Sequence, residues 1–325
     1  MLGALLAFAA AGFFGLNNAT TRRGVLKATV LQGMAITVPL GVPIFVGFAL
    51  VMGGFQAMAD WGLATWAWMA LAGVVHFVIG RYGNYKATQH LGGTLSTPVQ
   101  QLSILIALLL AFVFLGETVN AVNVAGILLV IFGPMILVRR RKAATAKGRD
   151  RGFEPRYGPG IAWGAVCAFG YGTSPLFIAL ALQGGGGLAD SVAGVLVSYV
   201  TASAVVIAMV LLAGGRSYMG GLDGASLRWF LLSTLFVALS QLFRYMALSM
   251  APLTVVVPIQ RLSIVFRLLF NAMINHEHEV FDGWVIFSIL LAVLGAVALG
   301  ADTASLLGWL GVQGPLAATL SAPLF

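Results

Sequence analysis

The segment Pro-Val-Gln-Gln-Leu-Ser-Ile at Pro98 to Ile104 returns as Pro-Ile-Gln-Arg-Leu-Ser-Ile at Pro258 to Ile264. The offset is 160 residues, close to half of the 325-residue chain. Residues 84–117 and 244–277 are identical at 11 of 34 positions, among them Tyr85/Tyr245, Thr94/Thr254, Pro98/Pro258, Gln100/Gln260, Ser103/Ser263 and Glu117/Glu277. One unit used twice restricts the fold to arrangements of two like halves, so the repeat has to be read before anything else.

Each half must then find a solvent that suits it. Hydrophobic residues make up 60% of the chain and charged residues 9%, with a mean hydropathy of +0.97. A soluble domain carries roughly a quarter charged residues. The apolar runs reach the roughly 20 residues that a helix needs to cross a bilayer. They are continuous rather than alternating, which excludes a transmembrane barrel. The expected class is an all-α membrane protein. The first run, Leu2 to Leu16, has no basic residue ahead of it, and Arg22 and Arg23 follow it. That order fits a first span rather than a secretory signal.

Ten transmembrane helices are predicted, as two inverted five-helix repeats. The spans fall near 2–20, 28–52, 63–88, 94–115 and 119–138, then 159–182, 190–213, 226–250, 252–275 and 281–300. The corresponding domains are a first five-helix repeat at 1–138, a basic linker at 139–158, a second repeat at 159–301 and a C-terminal tail at 302–325. An odd number of crossings turns the second copy over relative to the first, an arrangement typical of carriers with a site at the midplane. Arg22, Arg23, Lys27, the linker (Arg139 to Arg156), Arg216 and Arg228 all fall on one side, and the loops of the other side carry no Lys or Arg. The positive-inside rule places the linker in the cytoplasm and both termini outside, in a plasma (inner) membrane. The net charge of +8 is thereby a topology signal, and no nucleic-acid partner is expected.

Polar residues within the spans are the candidate site. Arg81, Asn84, Tyr85 and Thr88 lie at i, i+3, i+4 and i+7, on one helical face. Their counterparts are Gln241, Arg244, Tyr245 and Leu248. Gln100 and Ser103 share a face, as do Gln260 and Ser263, with Arg267 a turn further on. Arg261 neighbours Gln260 and stands where the first copy has Gln101. Amides and hydroxyls at such places also serve as interhelical glue, at under ~1 kcal/mol each. Arg81 and Arg244 are near enough to span ends to snorkel, whereas Arg261 and Arg267 lie mid-span, where charge is costly and points to function. Asn17 and Asn18 at the end of span one, and Tyr171, Thr173 and Ser174 in span six, are secondary cavity candidates.

No Asp or Glu lies in the middle of any span. Arginines without partner carboxylates suggest that the ligand brings the negative charge, and the guanidinium fork suits carboxylate or phosphate. The same absence argues against efflux of lipophilic cations and against an Asp or Glu proton relay. His76 reads as a hydrogen-bonded packing residue, with a proton relay as the sharper alternative. Cys167, the only cysteine, reads as a small packing residue. His276-Glu277-His278-Glu279 reads as a solvated turn, and Gly184 to Gly187 lacks the Lys-Ser/Thr of a phosphate loop. No metal or cofactor is expected, and no nucleophile–base pair suggests an enzyme.

Pro98 in span four, Leu115-Gly116-Glu117 closing it, and a glycine-rich span five with Gly126 and Gly133 resemble the EamA-type drug/metabolite transporter superfamily. The second copy keeps Pro258, Glu277 and Gly295 but has Asn275-His276 in place of Leu-Gly. The resemblance extends to about Gly300. It implies an alternating-access carrier with a central cavity lined by spans one, three, four, six, eight and nine. Members move amino acids, sugars, nucleotide sugars, phosphorylated metabolites and drugs. Characterised ten-span members are generally held to have both termini in the cytoplasm, the reverse of the charge bias here. The expected function is a secondary transporter of a small polar, anionic metabolite. The alternatives are a flippase for an anionic lipid-linked head group and a non-transporting membrane sensor. The expected partners are the substrate and the lipid bilayer, with the oligomeric state left open.

Overall fold

Long runs of Leu, Ala, Val and Gly offer few polar side chains, so the backbone must satisfy its own hydrogen bonds, as a helix does within one segment. A computed structural model describes residues 1–24, 28–132, 156–182, 186–274 and 283–324. The fold is all-helical, with no strand among the described residues and one isolated bridge, Asn120 to Pro323. The basic linker from Arg139 to Arg151 and the His276 to Glu279 turn lie outside the described residues.

The chain begins with α1 (Leu2–Gly24), then α2 (Val30–Thr37) and α3 (Gly41–Val51), two pieces of one expected span separated at Pro39. Thr29 and Gln32 cap α2 reciprocally through side chain and backbone. A short α4 (Gly54–Ala59) leads to α5 (Leu63–Gly73), a π-helical stretch (Val74–Gly80) and α6 (Arg81–Leu110), which closes in a second π-helical turn (Ala111–Leu115). After α7 (Ala121–Phe132) come α8 (Tyr157–Leu182), α9 (Leu188–Leu212), α10 (Arg216–Met219) and α11 (Gly224–Leu248). The expected ninth span is divided into α12 (Leu253–Gln260) and α13 (Ser263–Ile274), and α14 (Gly283–Gly300) follows.

Among the described residues six helices are long and apolar enough to cross a membrane: Leu2–Thr21, Val30–Val51, Leu63–Leu91, Tyr157–Leu182, Leu188–Leu212 and Gly224–Leu248. Val99–Leu115 and Ala121–Phe132 are shorter apolar helices. α6 is helical throughout, yet its neighbours show that the chain reverses within it. Gly80 abuts Gly170, Gly83 abuts Cys167, and Leu91 covers Gly160, so this limb runs antiparallel to α8. Val99 then covers Gly164, and Ile106 meets Gly172, so the second limb runs parallel to it. The turn lies between Leu91 and Val99, where the sequence predicts a break between spans three and four. On the second limb Leu102, Leu105 and Leu109 face outward, while Ser103, Ile104, Ala107 and Ala111 are buried. A helix with one outward apolar stripe and a buried opposite face suits the lipid boundary.

The two halves interleave. α1 lies along α11, α12 and α13, while α8 lies along α5, the π-helical stretch and α6. Small residues permit these approaches: a Cβ on Gly170 would stand 2.8 Å from the Gly80 backbone, and one on Gly15 2.4 Å from the Phe266 side chain. Gly126 of α7 and Gly295 of α14 likewise cross backbone to backbone. At one end of the bundle Gly3 meets Ala251, Trp61 Nε1 donates to Asp190 at 2.7 Å, and Leu324 N donates to Val119 O. At the other end Gly24 meets Phe230, Thr29 bonds Tyr218 at 2.6 Å, and Arg156 N donates to His90 O.

The tail, expected as a surface-lying or disordered segment, forms α15 (Thr303–Trp309) and α16 (Pro315–Ser321). Asp302 caps α15 by accepting from Ser305 N, and these hydrogen bonds hold its carboxyl below the usual aspartate range. Trp309, Leu310 and Leu316 are exposed.

Candidate functional site

The second π-helical turn ends by Gly116 taking a left-handed φ of 62°, after which Glu117 N bonds back to Ala111 O. That turn aims the Glu117 carboxylate at the start of α12, where it accepts from Leu253 N at 2.7 Å and Thr254 N at 2.8 Å. A first-half residue thus caps a second-half helix, beside a cavity of about 220 Å³ lined by Leu182, Leu248 and Leu253. α12 carries Pro258, which lacks the N–H for a helical bond. The chain tightens at that point. Arg261 N bonds Pro258 O, Leu262 N bonds Ile259 O, and Ile264 N bonds Arg261 O, all at three-residue spacing. Mid-helix segments of this kind often mark hinges.

The break sets Arg261 and Ser263 between two small cavities. One, of about 40 Å³, is lined by Phe14, His76, Tyr171, Gln241, Arg244, Gln260, Arg261 and Ser263, among others. The other, of about 30 Å³, is lined by Asn18, Asn84, Gln100, Gln101, Arg267 and again Phe14, Tyr171, Arg261 and Ser263. They form two lobes of one chamber, divided where the Arg261 guanidinium lies 5.5 Å from the Tyr171 ring centre. No Asp or Glu lines either lobe. The amide nitrogens of Gln100, Gln101 and Gln260 are buried without hydrogen-bond partners. Each lobe has room for about two or three waters.

His76 occupies the floor of the first lobe, in the π-helical stretch. Its Nδ1 lies 2.8 Å from Ser174 Oγ and 3.1 Å from Arg244 Nη1. Its Nε2 faces Gln241 Nε2 at 3.4 Å, and its ring stacks on Tyr171 at 4.6 Å. Arg244 also donates to Gln241 Oε1 at 3.2 Å and to Ser174 Oγ at 2.9 Å. Arg244 is 4% exposed, so it is held inside the bundle and does not snorkel.

Of the predicted residues, Asn18, Asn84, Gln100, Gln101, Tyr171, Gln241, Arg244, Gln260, Arg261, Ser263 and Arg267 line the chamber. Ser174 supports it from behind through Arg244 and His76. Others are engaged elsewhere. Arg81 is buried against Phe77 and donates to Thr37 Oγ1 at 3.4 Å. The Tyr245 hydroxyl donates to Ser198, which donates to Met69 O. Asn17 Oδ1 accepts from Ser233 Oγ at 2.6 Å and joins α1 to α11. Thr173 bonds the Phe169 carbonyl of its own helix, and Ser103 bonds the Gln100 carbonyl. Tyr85 packs partly buried against the core and lines neither lobe. His76 is the chamber residue the sequence undervalued. Its position one helical stripe before Asn84, at i and i+8, was the available signal.

Apolar spans, a helix broken at a proline and a buried donor-rich chamber are features of membrane transporters. Residues 1–139 match the EamA-like transporter family, a likeness consistent with the drug/metabolite transporter superfamily. Among solved structures 27 chains match significantly. One crystal structure, described only as that of a protein, has a TM-score of 0.66 at 17% identity, over 91% of this chain and 94% of its own. That likeness concerns the fold. No curated protein matches significantly.

Proposed function

We propose that the chain is a secondary transporter for a small anionic metabolite, bound in the two-lobed chamber. The observation that carries this is the imbalance of the lining: Arg244, Arg261 and three unpartnered glutamine amide nitrogens, with no carboxylate. Buried donors without acceptors are expensive, and a ligand rich in acceptor oxygens would satisfy them. Arg261 and Arg244 would hold the anionic group. Gln100, Gln101, Gln241, Gln260 and Ser263 would orient the rest, with Asn84 and Arg267 closing the second lobe.

Ten spans in two inverted repeats, residues 1–138 and 159–301, accommodate this site. The reciprocal packing of α1 on α11 and of α8 on the α5–α6 run is the pairing such symmetry requires, and the family match ends at residue 139. The chamber is too tight for a metabolite as it stands, so the halves must part to admit one. Alternating access about the α12–α13 break is the corresponding motion. In this arrangement the basic linker is cytoplasmic, in the plasma membrane, and no chemistry is performed on the substrate.

The test is a thermal-shift screen of purified protein against anionic, neutral and cationic metabolites. Stabilisation by anions, lost in Arg261→Gln, is expected. Equal stabilisation of both proteins by every ligand found, or hits confined to cations, would sink the proposal.

A further inference from the structure

The first lobe contains more hydrogen-bond donors than its acceptors can take. A neutral imidazole has one nitrogen that donates and one that accepts. Arg244 Nη1, always a donor, lies 3.1 Å from His76 Nδ1, which must therefore accept. The Ser174 hydroxyl, which accepts from Arg244 Nη2, is 2.8 Å from the same nitrogen. The proton of His76 is left on Nε2, aimed at the Gln241 amide nitrogen 3.4 Å away. Turning the Gln241 amide over does not help, because its oxygen then leaves Arg244 Nη1 facing an NH₂ group. In either orientation one donor meets another.

The charged groups facing His76 are Arg244 from α11, Arg261 from the α12–α13 break and Arg81 from its own run, and no carboxylate faces it among the described residues. Tyr171 from α8 covers its ring, and α1 presents only Ala10 and Phe14. A proton on Nδ1 would place imidazolium against guanidinium. With its Nη1 at 3.1 Å, Arg244 thus opposes a proton on Nδ1. An anion in the lobe reverses both conditions. It draws the guanidinium away from Nδ1 and adds the negative charge that a second cation needs beside the first.

We infer that His76 is a proton-binding site linked to the anion site, so that the transporter takes up one proton with each anion. The proton comes from water and is held on His76 Nδ1, where Ser174 Oγ is placed to accept from it. The inference rests on the anion-chamber proposal above. Linkage then requires that the proton and the anion each tighten the other's binding by the same factor.

The experiment uses the full chain in lipid nanodiscs with inorganic sulfate as the probe, an anion with no titratable proton between about pH 6 and pH 8, the range where histidine responds. Sulfate affinity and proton uptake in weakly buffered solution are measured together, for wild type and His76→Gln. The expected result is affinity rising about tenfold per pH unit as pH falls, with close to one proton taken up, and neither effect in His76→Gln. Sulfate binding without pH dependence or proton uptake would overturn the proton site and leave the anion chamber standing. No sulfate binding at any pH would overturn both. If His76→Gln does not fold, the nitrogen-15 shifts of His76 in the wild type decide instead. Conversion to imidazolium on adding sulfate is expected, and an unchanged neutral ring refutes the inference.

Discussion

Pro98 to Ile104 stays helical at the start of the second limb of α6, whereas its copy, Pro258 to Ile264, straddles the junction of α12 and α13. Both contain a proline, a glutamine with an unpartnered buried amide nitrogen and a serine. They differ at one informative place, Gln101 against Arg261. Gln101 lines a single lobe, while Arg261 stands at the divide and lines both. The same motif can therefore serve as wall or as hinge. The neighbours help to decide which. Glu117 fixes the start of α12 from outside, and the tightened turn after Pro258 ends that helix after two turns. The two copies of the motif share most residues, and the places where they depart from one another mark where charge and bending are concentrated.

The comparison can be broken at its charge first. Arg261→Gln makes the second motif read as the first, and anion binding is expected to weaken about 100-fold, as for other buried charge contacts. Adding Gln101→Arg should restore part of the binding, through the second lobe alone, when the two variants are compared by calorimetry. Equal affinities for wild type and Arg261→Gln would show that position 261 carries no special charge role.

The hinge is tested next. Pro258→Ala restores an N–H, and α12 and α13 are expected to join more smoothly. Turnover in proteoliposomes should fall about tenfold while the melting temperature rises, since proline inside a helix costs about 3 kcal/mol. Pro98→Ala, in the copy that stays helical, should change turnover far less. Matching effects at the two prolines would remove the distinction between wall and hinge.

Glu117→Gln weakens two charge-assisted bonds at the start of α12. A loss of about 1 kcal/mol is expected, seen as a lower midpoint in thermal melts. The smallest effect belongs to the tail. The carboxyl of Asp302 titrates below its unfolded value, so its contribution to α15 is present above the unfolded range and is lost as pH falls through the depressed folded one. Hydrogen exchange at Ser305 should rise in that acidic window with binding at the chamber unaffected. Unchanged exchange there would refute the cap.

The all-helical membrane class was legible because a run of apolar residues is a one-dimensional signal. Helical spacing also placed Gln100, Gln260, Arg244 and Ser263 on inward faces, where the chamber has them. Spacing gives a face but not a partner. Tyr245 lies on the right stripe, and its hydroxyl is nonetheless consumed by Ser198 of α9. Asn17 is similarly taken by Ser233. His76 was obscured by the repeat itself, since its counterpart is Phe236 and a search for shared polarity passes over it. Glu117 was visible as part of a motif, but its task depends on a partner 136 residues away.

The crossing of Gly80 and Gly170 sits beside the chamber, one turn from His76 on one helix and adjacent to Tyr171 on the other. Main chain rests there on main chain. The Tyr171 ring covers Gly80, while the space beside Gly170 is closed by the main chain of Gly80 and Val75, so in the proposed rocking motion this side of the joint would work as a bearing with no rotamers to exchange. Any side chain added at Gly170 would act as grit in it, and on the proposed mechanism would stop the tilt before the chamber opened.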